Sequence, residues 1–125
     1  MNLAVFRYAP ALRGVEVKRV FGVGPFIIGL DAPILGHLVD GRLHVAAFID
    51  GATSMGCDVV DYGMIPTDVL YYGVATDKLD GGVQVTASHN PKQYNGMKMV
   101  RQEAFPLSGD AGIGDIRDMI ANNTL

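Results

Sequence analysis

The stretch VQVTASHNPKQYNGMKMV, residues 83–100, predicts a strand, a polar loop and a returning strand. Apolar and polar residues alternate from Val83 to Ala87, which is the period of a β-strand. Asn90-Pro91 and Asn95-Gly96 are turn signals within one short loop, because Asn, Pro and Gly are common turn residues. Met97 to Val100 predict another strand, so we expect the loop to fold the chain back on itself.

Helix and strand patterns alternate along the rest of the chain. The first predicted elements are a buried strand near Phe26 to Leu30, an irregular connection, and a helix over Ala46 to Met55 that stops at a C-terminal cap on Gly56. A short β segment over Asp58 to Asp61 follows, and then a helix from Pro66-Thr67-Asp68 to near Lys78 with Thr67 as N-cap. A turn at Asp80-Gly81-Gly82 leads into the two strands described above, and a helix from Ser108 to near Asn122 ends the series. Such alternation predicts an α/β fold, a layered mixed sheet flanked by helices, in a single domain over residues 1–125.

Composition and charge exclude several classes of protein. Of the 125 residues, 49% are hydrophobic and 18% are charged, which is typical of a globular chain rather than a disordered one. The net charge is −3 at pH 7 and Lys and Arg form no cluster, so the sequence does not predict nucleic-acid binding. The apolar run from Phe21 to Val39 contains Pro25, Pro33 and Asp31, and we therefore expect no membrane span.

The single cysteine, Cys57, cannot form an internal disulfide and is expected to be an inert core thiol. One cysteine and no evident leader predict a cytoplasmic protein.

Ser88 follows the predicted strand directly, where α/β sheets gather their ligands. A serine hydroxyl is a poor nucleophile until a base removes its proton. Neighbours on an extended segment point to opposite sides, so we expect His89 to bind an anionic ligand or hold the loop rather than act as that base. Lys98 lies across the loop, where it can attract a phosphate or, if desolvated, transfer a proton. A plainer interpretation stays open, in which the loop is a polar turn and Lys98 a solvated strand residue.

The run TASHNPKQYNGMK, Thr86 to Lys98, closely resembles the phosphoserine loop of the α-D-phosphohexomutases. The segments CDVVDYGMIPTDVLYYG (57–73) and VRQEAFPLSGDAGIGDIRDMIANN (100–123) are similar to the first of the four domains of that family, as found in phosphomannomutases. FRYAPALRG, Phe6 to Gly14, resembles the family's opening motif, and Asp40-Gly41-Arg42-Leu43 resembles its Gly-Arg-Asp-type loop. The resemblance is strong over residues 46–125, while residues 1–45 diverge.

The resemblance implies interconversion of hexose 1-phosphate and hexose 6-phosphate through a bisphosphate intermediate. Ser88 would be the phosphoacceptor and a ligand of Mg²⁺, which in the family bridges the phosphoserine and aspartates of a second domain. Hexose 1,6-bisphosphate would be the activator. Lys98 and His89 match residues proposed to assist proton transfer and grip the substrate, and Arg13 matches an active-site partner. The phosphate-binding residues implied are Arg7, Asn90 and Lys98.

The resemblance also implies partners. The Asp-Gly-Asp-Gly-Asp-Arg loop of the family's second domain does not occur in this sequence, so we expect the remaining mutase domains and a phosphohexose substrate as partners. The isolated chain is expected to have negligible mutase activity and to self-associate through the face that those domains cover. Two alternatives stay open, a non-catalytic phosphosugar-binding or interaction module that retains the loop, and a structural domain in which Ser-His-Asn-Pro is only a turn.

Overall fold

The computed structural model describes residues 25–31 and 35–123. Its elements are, in chain order, strand β1 (Phe26–Asp31), helix α1 (Leu35–Ser54), strand β2 (Val59–Met64), helix α2 (Thr67–Thr76), strand β3 (Gly81–Thr86), strand β4 (Met97–Arg101) and helix α3 (Ile113–Asn122), with 3₁₀ turns at Gln102–Ala104 and Gly109–Ala111. This is the β-α-β-α-β-loop-β-α order that the sequence predicts.

The four strands form one mixed sheet in the order β2-β1-β3-β4. Strand β1 pairs in parallel with both β2 and β3, and β4 joins β3 in the antiparallel direction. Parallel neighbours need a crossover connection, and α1 and α2 supply the two crossovers. The predicted α/β fold with a layered mixed sheet flanked by helices is therefore confirmed.

Both faces of the central strands are buried, each under its own helices, while the edge strand β2 is largely exposed. The larger core cluster packs strand side chains against α1 and α3; its strand members are Phe26, Ile28, Leu30, Val83, Val85, Met97 and Met99. On the opposite face, Ile27 and Val100 pack against Leu70 and Val74 of α2. Strand β3 is buried along its whole length because it lies inside the sheet and under helices on both sides.

Helix α1 is longer than the sequence predicts. We expected an irregular connection after β1 and a helix only from Ala46, but the helix begins at Leu35. Because glycines lower helix propensity, the sequence pattern does not reveal about the first three turns of α1. Gly41 is needed for packing, since a Cβ there would lie 2.5 Å from the Leu30 side chain. The helix therefore lies close against β1.

The predicted C-terminal cap of α1 is confirmed at Gly56. Its φ is +79°, a left-handed conformation that glycine adopts at little cost. The Gly56 N–H donates to the Thr53 carbonyl at 2.9 Å, and the Cys57 N–H donates to the Ala52 carbonyl at 3.1 Å. This pair of bonds is a Schellman motif. Cys57 is buried, as expected of a core cysteine.

The predicted turn at Asp80-Gly81-Gly82 is wrong, because Gly81 and Gly82 are the first residues of β3. A Cβ on Gly81 would lie 2.7 Å from the Val100 carbonyl oxygen, and a Cβ on Gly82 would lie 2.7 Å from a methyl carbon of Val74. The two glycines therefore serve close packing rather than chain reversal.

Helix α2 begins one residue earlier than a Thr67 N-cap requires. Thr67 is its first helical residue, and Pro66 takes the N-cap position without a side-chain hydrogen bond. Near the other end, the Tyr62 hydroxyl donates to the Asp77 carboxylate at 2.6 Å. This hydrogen bond raises the pKa of Tyr62 above its ordinary value and ties α2 to β2.

Strand β3 carries two buried polar side chains on the face toward α2, Gln84 and Thr86. The Gln84 Nε2 donates to the Ile65 carbonyl at 2.9 Å, which fixes the segment between β2 and α2. Gln84 is opposite Gly29 of β1 in the sheet register. A Cβ on Gly29 would lie 2.6 Å from the Gln84 Oε1 and 2.7 Å from the Ile65 side chain. Glycine at this position is therefore what leaves room for the glutamine.

The surface carries several large apolar side chains, namely Leu43, Val60, Met64, Val69, Tyr72, Tyr94 and Phe105. Within residues 25–31 and 35–123, no helix has both the length and the apolarity that a bilayer crossing requires.

We predict that Gly29→Ala destabilises the chain by about 1–3 kcal/mol, because the added methyl group overpacks the contact with Gln84 and Ile65. Chemical denaturation monitored by circular dichroism measures the change. Gly109→Ala is the matched control, because nothing lies within 4 Å of a Cβ at Gly109, and its effect should stay within about 0.5 kcal/mol. Equal effects of the two substitutions would contradict the packing argument.

Candidate active site

The carboxyl ends of β1, β2 and β3 meet at one edge of the sheet, because the three strands are parallel. After β1 the chain continues to β2, which lies on the side of β1 away from β3. After β3 it continues to β4, which lies on the side of β3 away from β1. The crevice between two strands whose connections diverge in this way is where open α/β sheets bind ligands. Here that crevice lies between the ends of β1 and β3. Asp31 and Thr86, their last residues, are direct neighbours in the register.

The polar loop from Ala87 to Gly96 contains two turns. The first spans Ala87 to Asn90 and is closed by the Asn90 N–H, which donates to the Ala87 carbonyl at 3.0 Å. The second spans Pro91 to Tyr94 and is closed by the Tyr94 N–H, which donates to the Pro91 carbonyl at 3.0 Å. The sequence therefore predicts the right number of turns, but places both a few residues late.

The predicted turn at Asn95-Gly96 is wrong. The Gly96 carbonyl accepts the Thr86 N–H at 2.9 Å, so Gly96 already extends the pairing of β4 with β3. The Asn95 Oδ1 accepts the Gly96 N–H at 3.0 Å. Asn-Gly is a strong turn signal in isolation, but sheet pairing takes precedence here.

Ser88 is exposed and has a φ of +53°. This left-handed conformation is uncommon for a residue with a Cβ, and it often marks functional positions. Because the backbone turns at Ser88, the extended geometry on which we based the orientation of His89 does not apply. His89 and Asn90 are both exposed on the same turn.

The Ser88 N–H donates to the Thr86 Oγ1 at 3.0 Å. The Thr86 hydroxyl in turn donates to the Asp31 Oδ2 at 3.4 Å. The sequence reasoning missed Thr86 and Asp31 as site residues. A signal was present for Asp31, since it is the first charged residue after the apolar strand FIIGL and so lies at the carboxyl edge.

Lys98 is exposed on β4 and lies directly opposite Gln84 in the register. Its neighbours Met97 and Met99 point into the larger core, so Lys98 projects from the opposite face, toward the side of α2. Ser88 is four residues further along than Gln84, which is roughly 13 Å of extended strand. That Ser88 and Lys98 share one phosphate stays a prediction.

The other predicted site residues divide in two groups. Arg7 and Arg13 lie outside the described residues. Asp40-Gly41-Arg42-Leu43, which resembles a loop of the family, lies within α1 and is not a loop.

A separate open cavity of about 380 Å³ lies between α1 and β2, lined by Leu30, Arg42, Val45, Ala46, Ile49, Asp61, Gly63 and Met64. It lies on the side of β1 away from β3. It is therefore not part of the crevice at Ser88.

The described residues do not by themselves fit a Mg²⁺ ion. In the described part of the chain, no group of three or more His, Cys, Asp or Glu side chains could hold a metal ion. Asp31 is the carboxylate that hydrogen bonds link to Ser88 through Thr86, and it already accepts a hydrogen bond from the Thr86 hydroxyl. Mg²⁺ favours about six oxygen ligands, so most of them would have to come from elsewhere.

We predict that Ser88→Gly stabilises the chain by about 0.5–1 kcal/mol. Glycine removes the left-handed strain of about 1–2 kcal/mol, at an entropic cost of about 0.5–1 kcal/mol. Ser108→Gly is the control, because Ser108 has φ −101° and makes no side-chain capping bond, so that only the entropic cost remains. Urea denaturation should give opposite signs for the two variants, and the same sign would refute strain at Ser88.

Residues 22–125 match the family model described as phosphoglucomutase/phosphomannomutase, alpha/beta/alpha domain I. The chain is 38% identical over 111 residues to "Phosphohexose mutases" of Xanthomonas campestris pv. campestris (strain B100), covering 89% of this chain and 24% of that protein. It is 41% identical over 100 residues to "Phosphomannomutase" of Klebsiella pneumoniae, covering 80% of this chain and 60% of that protein.

It is also 46% identical over 77 residues to "Phosphomannomutase" of Escherichia coli (strain K12), covering 62% of this chain and 17% of that protein. The chain therefore spans less than two thirds of the length of each of these relatives. The family match covers most of the chain and includes all the strands that build the crevice at Ser88. The chain accordingly belongs to the phosphoglucomutase/phosphomannomutase family, of which it carries alpha/beta/alpha domain I.

Proposed function

We propose that this chain is the phosphoryl-carrying domain of a hexose-phosphate mutase, with Ser88 as the carrier. The observation that supports it most is the position of Ser88, exposed and left-handed at the crevice between β1 and β3. In the proposed scheme, the complete mutase interconverts hexose 1-phosphate and hexose 6-phosphate. The substrate would therefore be a phosphohexose, and hexose 1,6-bisphosphate the activator.

The transfer would proceed in two halves. In the first, a sugar hydroxyl attacks the phosphorus of phosphorylated Ser88; the bond from phosphorus to the serine Oγ breaks and a new bond to the sugar oxygen forms. The hydroxyl proton passes to a base and the serine oxygen regains a proton. In the second, the serine hydroxyl attacks the other phosphorus of the bisphosphate; the bond from that phosphorus to the sugar oxygen breaks, the serine proton passes to a base and the sugar oxygen gains a proton. Lys98 and His89 are the proposed proton carriers.

The charge of the phosphoserine has to be met by side chains. It amounts to roughly −1.5 to −2 at neutral pH. Backbone N–H groups often bind phosphates, but the N–H groups of Ser88 and Asn90 already donate to Thr86 and Ala87. We therefore assign charge compensation to Lys98 and His89, with the Asn90 amide as a neutral donor. Arg13 and Arg7 complete the proposed set from outside the described residues.

Mg²⁺ and the remaining mutase domains belong to the same proposal. Mg²⁺ would neutralise charge on the transferring phosphoryl group, with the phosphate on Ser88 as this chain's one ligand and aspartates of another domain as the others. The exposed Tyr94 on the loop itself supports a partner that covers the site. Self-association of the isolated chain through such apolar side chains is part of this proposal, as is a cytoplasmic location for a chain with one buried thiol.

We predict that Ser88 becomes phosphorylated when the chain is incubated with Mg²⁺ and glucose 1,6-bisphosphate. Intact-mass spectrometry should show the mass of one added phosphate, and peptide mapping should place it on Ser88. Ser88→Ala should abolish the increase, while Ser54→Ala, which removes an exposed hydroxyl at the end of α1, where the chain enters β2 at the opposite edge of the sheet, should not. Phosphosugar binding that survives Ser88→Ala, without phosphorylation, would favour a non-catalytic binding module instead. Neither phosphate uptake nor binding would favour a structural domain.

The isolated chain should not turn over a hexose 1-phosphate at a measurable rate, even where Ser88 slowly takes up a single phosphate, because turnover needs both half-transfers in succession. Phosphoryl transfer depends on positioning and electrostatic stabilisation, and this chain spans 24% of the length of the Xanthomonas relative. A coupled assay with Mg²⁺, glucose 1,6-bisphosphate and glucose 1-phosphate measures the rate, with a complete relative as the positive control. Robust turnover by the chain alone would contradict this expectation.

A further inference from the structure

We propose that Thr86 and Asp31 are positioning residues that hold Ser88 in its phosphoryl-accepting conformation. The proposal rests on the proposed function, because it concerns the serine that would carry the phosphate. Neither residue has a role in the scheme above. Both lie at the crevice, at the ends of two neighbouring strands.

The backbone at Ser88 needs a restraint. A φ of +53° places the Cβ in an unfavourable region, and such a conformation persists only where its surroundings determine it. The bond from the Asn90 N–H to the Ala87 carbonyl closes the turn but does not contact Ser88. The bond from the Ser88 N–H to the Thr86 Oγ1 acts on Ser88 directly.

Asp31 fixes the direction of these hydrogen bonds. The Thr86 hydroxyl donates its single proton to the Asp31 Oδ2 at 3.4 Å. The lone pairs of the Thr86 oxygen then remain for the Ser88 N–H. Without Asp31 the hydroxyl is free to rotate, and its proton can point at the Ser88 N–H and repel it.

The burial of Thr86 makes this arrangement stiff. Thr86 is 6% exposed, so water competes little for its hydroxyl. Its backbone is held on both sides, by β1 through the register with Asp31 and by β4 through the bond to Gly96. The anchor of the turn therefore belongs to the sheet, and the loop contributes only the residue that is held.

The consequence for chemistry is a separation of roles. Ser88 is exposed, while its N–H is occupied by the Thr86 hydroxyl oxygen. We infer that Thr86 and Asp31 influence the rate of phosphate transfer to Ser88 without contacting the phosphate or the sugar.

The test uses Thr86→Val, which keeps the branched shape and removes the hydroxyl, and Thr86→Ser, which keeps the hydroxyl. Asp31→Ala is a third variant on a half-buried side chain, and it preserves the test if Thr86→Val does not fold. Two readouts are taken at equal foldedness by circular dichroism. One is hydrogen exchange of the Ser88 amide by NMR, and the other is the rate of phosphate uptake by Ser88 at saturating glucose 1,6-bisphosphate with Mg²⁺.

Thr86→Val should speed Ser88 amide exchange and slow phosphate uptake, each by about tenfold, as expected for loss of one hydrogen bond. Thr86→Ser should restore both to within about threefold of the unmodified chain, and Asp31→Ala should fall between the two. Unchanged exchange and uptake in Thr86→Val would overturn the proposal. So would a Thr86→Ser variant as impaired as Thr86→Val, because packing of the methyl group would then be responsible.

The failure of the proposed function is distinguishable from the failure of this inference. If the unmodified chain takes up no phosphate, the proposed function fails, while amide exchange still decides whether Thr86 holds Ser88. If the chain takes up phosphate at the same rate in all variants, the function stands and the positioning role is refuted.

Discussion

The burial of strand β3 on both faces is the constraint on which the rest of the structure depends. Burial favours apolar side chains, and Val83 and Val85 satisfy it on the face toward α1 and α3. The opposite face carries Gln84 and Thr86, two polar residues that can be buried only if they form hydrogen bonds. Those bonds reach the segments at the carboxyl edge, through Ile65 and Ser88 respectively. The same strand therefore builds the core with one face and fixes two loops with the other.

Glycines allow β3 to pack on both faces, because they carry no side chain at positions where polar groups and helices approach closely. Gly29 leaves the space for Gln84, and Gly81 and Gly82 let β4 and α2 approach β3. The switch in strand connections between β1 and β3 then opens a crevice at the end of this tightly packed centre. The site is thus placed by topology and held by the sheet, while the loop supplies the exposed groups.

The sequence predicts the element order and the position of Ser88 because both depend on local patterns. Alternation around Val83 and the polar residues after Ala87 are enough to place a strand end and a loop. The start of α1 at Leu35 was not predictable in the same way, since Gly41 is explained by contact with Leu30 and not by its neighbours in sequence. The role of Gly81 depends likewise on the approach of β4. Asn95-Gly96 misleads because sheet pairing overrides its intrinsic turn preference.

The same distinction between local sequence patterns and contacts between distant residues applies to the candidate site. Ser88, His89, Asn90 and Lys98 can be proposed as site residues from the sequence because they lie in one continuous motif, and their roles stay predictions. Thr86 was inside the quoted motif, but its bond to Asp31 joins residues 55 positions apart in the chain, and no sequence pattern encodes that pairing. The left-handed backbone of Ser88 is also a property of the folded turn.

The internal use of the Ser88 and Asn90 N–H groups has a consequence for the proposed reaction cycle, in which a phosphate would arrive and depart repeatedly. A loop whose shape depended on backbone contacts to the phosphate would have to reorganise each time the group left. Here those N–H groups bond to Thr86 and Ala87, within the chain itself. The loop would therefore keep the same shape when loaded and when empty, and its reorganisation energy would be small in both directions.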